Sequence, residues 1–225
     1  MTNNFLCGLD IGGAFIRVVV GQEVGDGQFS LIGSAEVPSE GINRGVISSI
    51  EDAVSSITLA LEQVERMIGS PVQHAMVGIS GAHITSQESR GVIAVSRADG
   101  EIREDDVERV IEAAQAVATP LNYEIIHVIP RTFSVDNQPG IKDPIGMTGV
   151  RLEVEAQIIQ GLSSQIKNLT KAIYRTGIEI DDLVLSILAN AESTLTKRQK
   201  ELGVLLVNIG ATTTSYAVFE EGDML

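Results

Sequence analysis

The sequence offers little for cross-linking or metal chemistry. Its 225 residues include one cysteine, Cys7, which excludes an internal disulfide framework. The three histidines, His74, His83 and His127, are scattered and assemble no metal-ligand spacing. A reducing cytoplasm suits this usage. Basic residues are also scarce: 16 Lys and Arg against 30 Asp and Glu give a formal net charge of −14. No basic footprint is left to neutralise a phosphate backbone, so nucleic acid is excluded as a partner. The acidic excess otherwise serves solubility. No uncharged run reaches the roughly 18 residues of a spanning helix. The start, MTNNFLCGLDIGG, lacks a positive n-region followed by an apolar stretch, so the expectation is a soluble chain without a signal peptide.

What is present is an apolar content of 44%, enough for a sizeable core in one or two domains. Phe5 to Gln22 reads as strand, tight glycine turn and antiparallel strand. Phe29 to Val37 follows the turn GDGQ as a third strand. From Ser48 to Met67, Ile50, Val54, Ile57, Leu61, Val64 and Ile68 recur every three or four residues, which predicts one apolar helix face. Ser48 or Ser49 caps that helix, Glu51 and Asp52 suit its first turn, and Gly69-Ser70-Pro71 stops it. A buried strand over Val72 to Ile79 comes next.

The texture then changes. Gly91 to Val95 is strand-like, and Glu104 to Val117 is an amphipathic helix through Val107, Val110, Ile111, Ala114 and Val117. Glu104, Asp105, Asp106 and Glu108 open it and suit its positive end, a partner-binding acidic patch being the sharper alternative. Strands over Tyr123 to Val135 and Val150 to Gln160 flank NQPGIKDPIGMTG, a Gly/Pro-dense loop expected to hold no regular structure. Beyond this inserted unit, Gln165 to Arg175 is helical on Ile166, Leu169 and Ile173, with Gly177 as its stop. A strand over Asp182 to Leu188, a helix over Ala189 to Lys197 and a final strand–turn–strand complete the chain. Its last residues read as a turn.

An internal repeat carries the chemistry. GLDIGG at 8–13 and LVNIGA at 206–211 each place an Asx residue, Ile and Gly at a strand end before a β-branched strand. Glycine lets backbone approach a phosphate, N–H groups can face its oxygens, and an aspartate can hold Mg²⁺ through water. Shared hairpin geometry is the plain alternative.

GLDIGGAFIRVVVG, GINRGVISSIEDA, HVIPRTFSVDNQPGIKDPIGMTGVRLEVEAQII and ELGVLLVNIGATTTSYAVF, taken together and in order, resemble the FtsA family of bacterial cell-division proteins. The central HVIP and GIKDPIGMTGVRLE phrases are the most distinctive. The resemblance implies an α/β actin-like fold in which ribonuclease-H-like subdomains clamp ATP and Mg²⁺. It places subdomain 1A at residues 1–81 and 162–200, an inserted SHS2-like subdomain 1C at 82–161, and the start of subdomain 2A at 201–225. On that reading the second half is truncated. Subdomain 2B, which contacts the tubulin-like protein FtsZ, and the C-terminal amphipathic membrane helix would lie beyond the chain. The location implied is the cytoplasm and the cytoplasmic membrane face at the division site.

By the same resemblance the phosphate ligands are Asp10, Gly12, Gly13, Ala14, Asn208, Gly210, Ala211, Thr212 and Thr213, with Asp10 also a metal ligand through water. The loops depart from the family pattern: Gly13, Ala14 and Phe15 stand where hydroxylated residues and Lys are usual, and Asn208 and Ser215 where carboxylates are usual. Each missing charge-assisted contact weakens metal–nucleotide binding by about 1.5–3 kcal/mol. Glu192, in the connecting helix, is either the general base or water positioner or a solvated helix-surface glutamate. Exposed strand edges in 1C suit self-association, and Arg131, Lys142 and Arg151 are its interface candidates, or loop solubilisers. The expected function is a division adaptor and polymer subunit that links FtsZ to the membrane and is at most a weak ATPase. The competing readings are an active ATPase or phosphotransferase of the same fold, as in sugar kinases, and a pilus-assembly-type interaction module without turnover.

Overall fold

The computed structural model describes residues 5–25 and 27–225, apart from the side chains of Val117 and Ala118. Residues 1–4 of the N-terminal reading, Asp26 of the GDGQ turn and the Val117 side chain of the expected helix face lie outside the described residues. The chain divides into two compact units. One comprises the segment up to His83 with Ser163–Thr196 and Leu205–Ala217. The other comprises Ile84–Leu162 with Lys197–Val204 and Val218–Leu225.

The first unit is built on a five-stranded sheet. β1 (Phe5–Ile11) turns into β2 (Phe15–Gly25), which pairs with β3 (Gln28–Pro38), all antiparallel. On the other side of β1 lie β6 (His74–Ile79) and β11 (Glu179–Leu185), both parallel, giving the order β11-β6-β1-β2-β3. Alternation along β2 sends Ile16, Val18 and Val20 inward, each fully buried. Burying such a side chain contributes about 1.5–3 kcal/mol. The short hairpin of β4 (Ile42–Asn43) and β5 (Val46–Ile47) turns at Arg44 and Gly45, both with positive φ, the conformation that matches strand twist.

α1 (Ile50–Ile68) is capped by Ser49, whose side chain accepts from the Asp52 N–H, and it ends at left-handed Gly69. Its buried face differs from the expected one. Ala53, Ser56 and Ala60 join Ile57, Leu61 and Val64 inside, whereas Ile50, Val54 and Ile68 are only half-buried. Close packing accounts for small residues there: a Cβ at Gly41 would lie 2.8 Å from the Ala53 nitrogen, and the Glu40 N–H donates to Ser56 Oγ at 3.2 Å. α3 (Ser163–Tyr174) buries Ile166, Leu169, Ala172 and Ile173.

α4 (Ser186–Thr194) starts three residues before the expected Ala189, and the helical run breaks at Leu195 before α5 (Lys197–Leu202). β11 correspondingly ends at Leu185 rather than Leu188. β12 (Val204–Ile209) and β13 (Thr214–Glu220) repeat the opening strand–turn–strand plan. The expected terminal turn is instead followed by β14 (Asp223–Met224), paired back on Phe219 and Glu220.

The second unit has an antiparallel sheet in the order β7-β10-β8-β9. Its strands are β7 (Ile84–Ala94), β8 (Tyr123–Val135), β9 (Gln138–Ile141) and β10 (Arg151–Leu162). β7 begins well before the expected Gly91. β9 corrects the expectation that NQPGIKDPIGMTG holds no regular structure. Asp136 and Asn137, both with positive φ, turn the chain, and Pro139 is tolerated because β9 is an edge strand. α2 (Glu104–Ala118) covers one face, and Val110 and Ala114 pack with Ile102, Leu152, Val154 and Ile158. The fit is tight: a Cβ at Gly91 would collide with the Val110 carbonyl oxygen and stand 2.7 Å from the Ala114 nitrogen. Of the acids that open α2, Asp106 is buried. It accepts from the Arg103 N–H at 3.2 Å and from Arg109 Nη1 at 3.0 Å. Among the described residues no helix is long and apolar enough to cross a membrane.

Candidate functional site

The repeat seen in sequence is also a repeat of hydrogen bonding. In the first turn the Gly12 N–H donates to the Phe15 carbonyl at 3.0 Å; in the second the Gly210 N–H donates to the Thr213 carbonyl at 2.9 Å. Asp10 and Asn208 stand two residues before those glycines. The close approach explains the residue type, because a Cβ at Gly12 would lie 2.7 Å from the Phe15 oxygen and one at Gly210 3.1 Å from that of Thr213. The two turns also meet: a Cβ at Gly13 would collide with the Thr212 hydroxyl.

Both turns border one open cavity of about 800 Å³ in the first unit. Asp10, Gly12, Gly13, Ala14, Asn208, Gly210, Ala211 and Thr213 line it. Thr212 touches Gly13 instead of the cavity wall. Sequence reasoning missed other parts of the lining, among them Arg17 and Val19 of β2, Met76, Gly78 and Ser80 in and after β6, and Ser186, Ala189 and Asn190 of α4. Arg17 was accessible in principle, since a hairpin through the Gly12 turn sets it opposite Asp10. Glu192 is exposed and lies outside the lining.

The electrostatics centre on Asp10. Its Oδ2 lies 3.7 Å from Arg17 Nη1, while Arg17 Nε donates to Glu36 at 2.7 Å and the guanidinium stands over the Phe15 ring at 5.4 Å. Burial pushes the Asp10 carboxyl above its ordinary value, and the attraction of Arg17 offsets only part of that. Among the described residues no three His, Cys, Asp or Glu side chains gather as a metal site. The single thiol, Cys7, is buried and pushed up to about 12 by that burial, with Asp181 and Glu65 adding to the rise.

The three cations singled out in the sequence belong to the second unit and are paired there. Arg131 Nη1 donates to Glu88 at 3.1 Å, and Lys142 pairs with Asp223. Arg151 Nη2 lies 3.0 Å from Glu153, a carboxylate only 3% exposed that Arg90 also holds.

A family model described as the SHS2 domain inserted in FtsA matches residues 81–160. The chain is 45% identical to the cell division protein FtsA of Bacillus subtilis over 225 residues, covering 100% of this chain and 51% of that protein. It is 41% identical to FtsA of Pseudomonas aeruginosa over 221 residues, covering 98% of this chain and 52% of that protein. A solved PilM-PilN type IV pilus biogenesis complex superimposes with a TM-score of 0.69 at 15% identity, covering 98% of this chain and 59% of that one, a likeness of fold alone. Over its whole length the chain is thus similar to the FtsA cell-division proteins, with an actin-like α/β fold and a match to the SHS2 insertion, and it spans about half the length of the curated relatives it matches.

Proposed function

We propose that the chain is the nucleotide-responsive part of an FtsA-type division adaptor, binding Mg·ATP in the cavity between the two glycine turns and turning it over poorly. The observation that carries this reading is the paired turn: two strand ends with the same Gly N–H to carbonyl bond, glycines where a Cβ would close the approach, and one shared cavity. Such a cradle fits phosphate oxygens, because unhindered backbone can approach them. Gly12, Gly13, Ala14, Gly210, Ala211 and Thr213 would hold the phosphates, with Thr212 packed behind them against Gly13, and Asp10 would hold hydrated Mg²⁺. When bound, the metal would neutralise phosphate charge. Asn208 offers no negative charge, so Asp10 alone would hold the cation by charge, which favours binding over turnover. That asymmetry speaks against the phosphotransferase reading. The family resemblance makes Glu192 the water-positioning candidate, although it is exposed and stands outside the cavity lining.

On this reading residues 1–81 and 162–200 are subdomain 1A, residues 82–161 are 1C, and the chain from 201 begins 2A. The product is assembly: self-association through 1C, with Arg131, Lys142 and Arg151 at the contact, and engagement of FtsZ at the membrane through the rest of an FtsA-length protein. Titrating the 225-residue chain with Mg·ATP while following backbone amide shifts tests the core of the proposal. The Gly12, Gly13 and Gly210 amides should shift together. Absence of any shift up to millimolar nucleotide would sink it.

A further inference from the structure

The chain between β3 and α1 backs the cavity at two places. It carries GINRGVISS, a phrase with no part in the chemistry above, and none of residues 39–49 lines the cavity. Its near end is tied to the first glycine turn. Beyond the last β2–β3 pair, Phe15 with Pro38, the Ser39 N–H donates to the Ala14 carbonyl at 2.9 Å. Its far end is pressed on the chain just past β6. A Cβ at Gly45 would collide with the Ser80 carbonyl oxygen and stand 2.6 Å from the Gly81 Cα, and one at Gly81 would stand 3.1 Å from the Arg44 oxygen. Ala14 and Ser80 both line the cavity. Between these ends the segment is anchored at the start of α1, where the Gly41 carbonyl accepts from the Ser48 and Ser49 N–H groups at 2.8 and 3.1 Å.

The hairpin takes its shape from these contacts. β4 and β5 have two residues each, too few to hold a hairpin by themselves. Arg44 sits at φ 52°, a left-handed conformation uncommon outside glycine. Such backbone persists only where its surroundings over-determine it, and it concentrates at functional sites. Here it delivers Gly45 onto Ser80. Resting on the nucleotide reading above, we infer that residues 39–45 are the positioning segment of the cavity, fixing the first glycine turn and Ser80 relative to each other while touching no ligand. Binding the Ala14 carbonyl stops that peptide from turning its oxygen toward a phosphate. Docking of Gly45 keeps Ser80 in the wall. The segment therefore governs affinity without contributing a ligand atom.

The test is amide-shift titration of the 225-residue chain with Mg·ATP in wild type, Ser39→Pro, Ser39→Ala and Gly45→Ala, with thermal midpoints recorded for each. Ser39→Pro removes the N–H that holds Ala14, Ser39→Ala keeps it, and Gly45→Ala forces a methyl against Ser80. A wall displaced enough to lose one ligand hydrogen bond corresponds to roughly a three- to tenfold rise in Kd. Ser39→Pro and Gly45→Ala should each show that rise. Each should also move both the Gly12 and the Ser80 amides before nucleotide is added, because one segment holds both walls. Ser39→Ala should bind as wild type, since its buried hydroxyl has no partner. A merely structural connector would lower the midpoint and leave Kd and the distant amide unmoved. Wild-type Kd in folded Ser39→Pro and Gly45→Ala chains, or an equal loss in Ser39→Ala, overturns the inference while leaving the nucleotide site standing. If Gly45→Ala does not fold, Ser39→Pro, which leaves the Gly45 contact untouched, decides by the same readings. A wild-type chain that shows no binding overturns the site itself, and this inference with it.

Discussion

Asp10→Asn separates what the cavity needs for folding from what it needs for binding. The Asp10–Arg17 pair is 3.7 Å long with side chains 46% and 48% exposed, and a pair so solvated contributes at most about 1 kcal/mol. Arg17 keeps its shorter bond to Glu36 after the substitution. Burial raises the folded carboxyl above 3.8, so the folded chain takes up that proton more readily than the unfolded chain does. Stability from this group is therefore present at low pH and lost as pH rises through the folded pKa; at pH 7 the ionised Asp10 is a net burden. Asp10→Asn should leave the unfolding free energy at pH 7 unchanged or slightly higher, within about 1 kcal/mol. Any advantage should fade at acid pH, where the wild-type carboxyl is protonated. Binding should respond in the opposite sense. Losing a charge-assisted contact to hydrated Mg²⁺ removes about 1.5–3 kcal/mol, on the order of 10- to 150-fold in Kd for Mg·ATP. Urea unfolding followed by circular dichroism, paired with the amide titration, reads both quantities on one preparation. A variant destabilised by well over 1 kcal/mol, or one that binds Mg·ATP as tightly as wild type, would refute the reasoning.

Three further perturbations address the rest of the molecule. Gly91→Ala forces a methyl against the Val110 carbonyl and the Ala114 nitrogen, so it should destabilise the second unit by about 1–3 kcal/mol, seen as faster amide exchange in β7 and α2 with the first unit unaffected. His83 is 7% exposed, neither ring nitrogen has a partner, and burial lowers its pKa below 6.5. The unfolded chain then binds that proton more readily, so stability should fall as pH drops below 6.5, and His83→Gln should flatten this part of the profile. Arg90 and Arg151 both serve the buried Glu153. Either Arg→Ala change alone should cost about 1 kcal/mol or less, but the pair should cost about 3–5 kcal/mol, because the double variant leaves a buried carboxylate uncompensated. Additive urea midpoints would contradict that coupling.

The elements that sequence resolved best are those whose local signals agree. β8 was legible from end to end as Tyr123–Val135, a long run rich in β-branched residues closed by a turn pair. α1 was legible through its Ser49 cap and Gly69 stop. Its buried face was not, because small residues take the inside where the helix passes Glu40 and Gly41, and apolar periodicity undervalues Ala and Ser. β11 was read as beginning at Asp182 instead of Glu179 because its first residues are acidic. Its place at the sheet edge leaves Glu179, Asp181 and Asp182 exposed, so the acids cost the strand little. β9 was hidden for a related reason: an edge strand needs few ladder bonds, and a proline within it looks like loop.

The site divides along the same physical line. The glycine turns were legible because a turn that brings backbone this close admits little but glycine, and the need is written at Gly12, Gly13 and Gly210. The α4 wall was not, because LVLSILANA is an uninterrupted apolar run in which a buried strand end and a buried helix start look alike. The outcome depends on where the change of period falls. With the helix beginning at Ala189, Ser186 would sit in a strand with no defined relation to Asn190, and Glu192 would occupy the first turn nearest the site. With the change at Leu185, Ser186, Ala189 and Asn190 become one face, and Glu192 lies two residues and about 200° beyond Asn190. A boundary displaced by three residues thus exchanges a carboxylate for a hydroxyl and an amide on the cavity wall. Moving that boundary back, for example with a helix-breaking Pro at Ala189, should weaken the α4 contribution to binding more than any single change at Glu192.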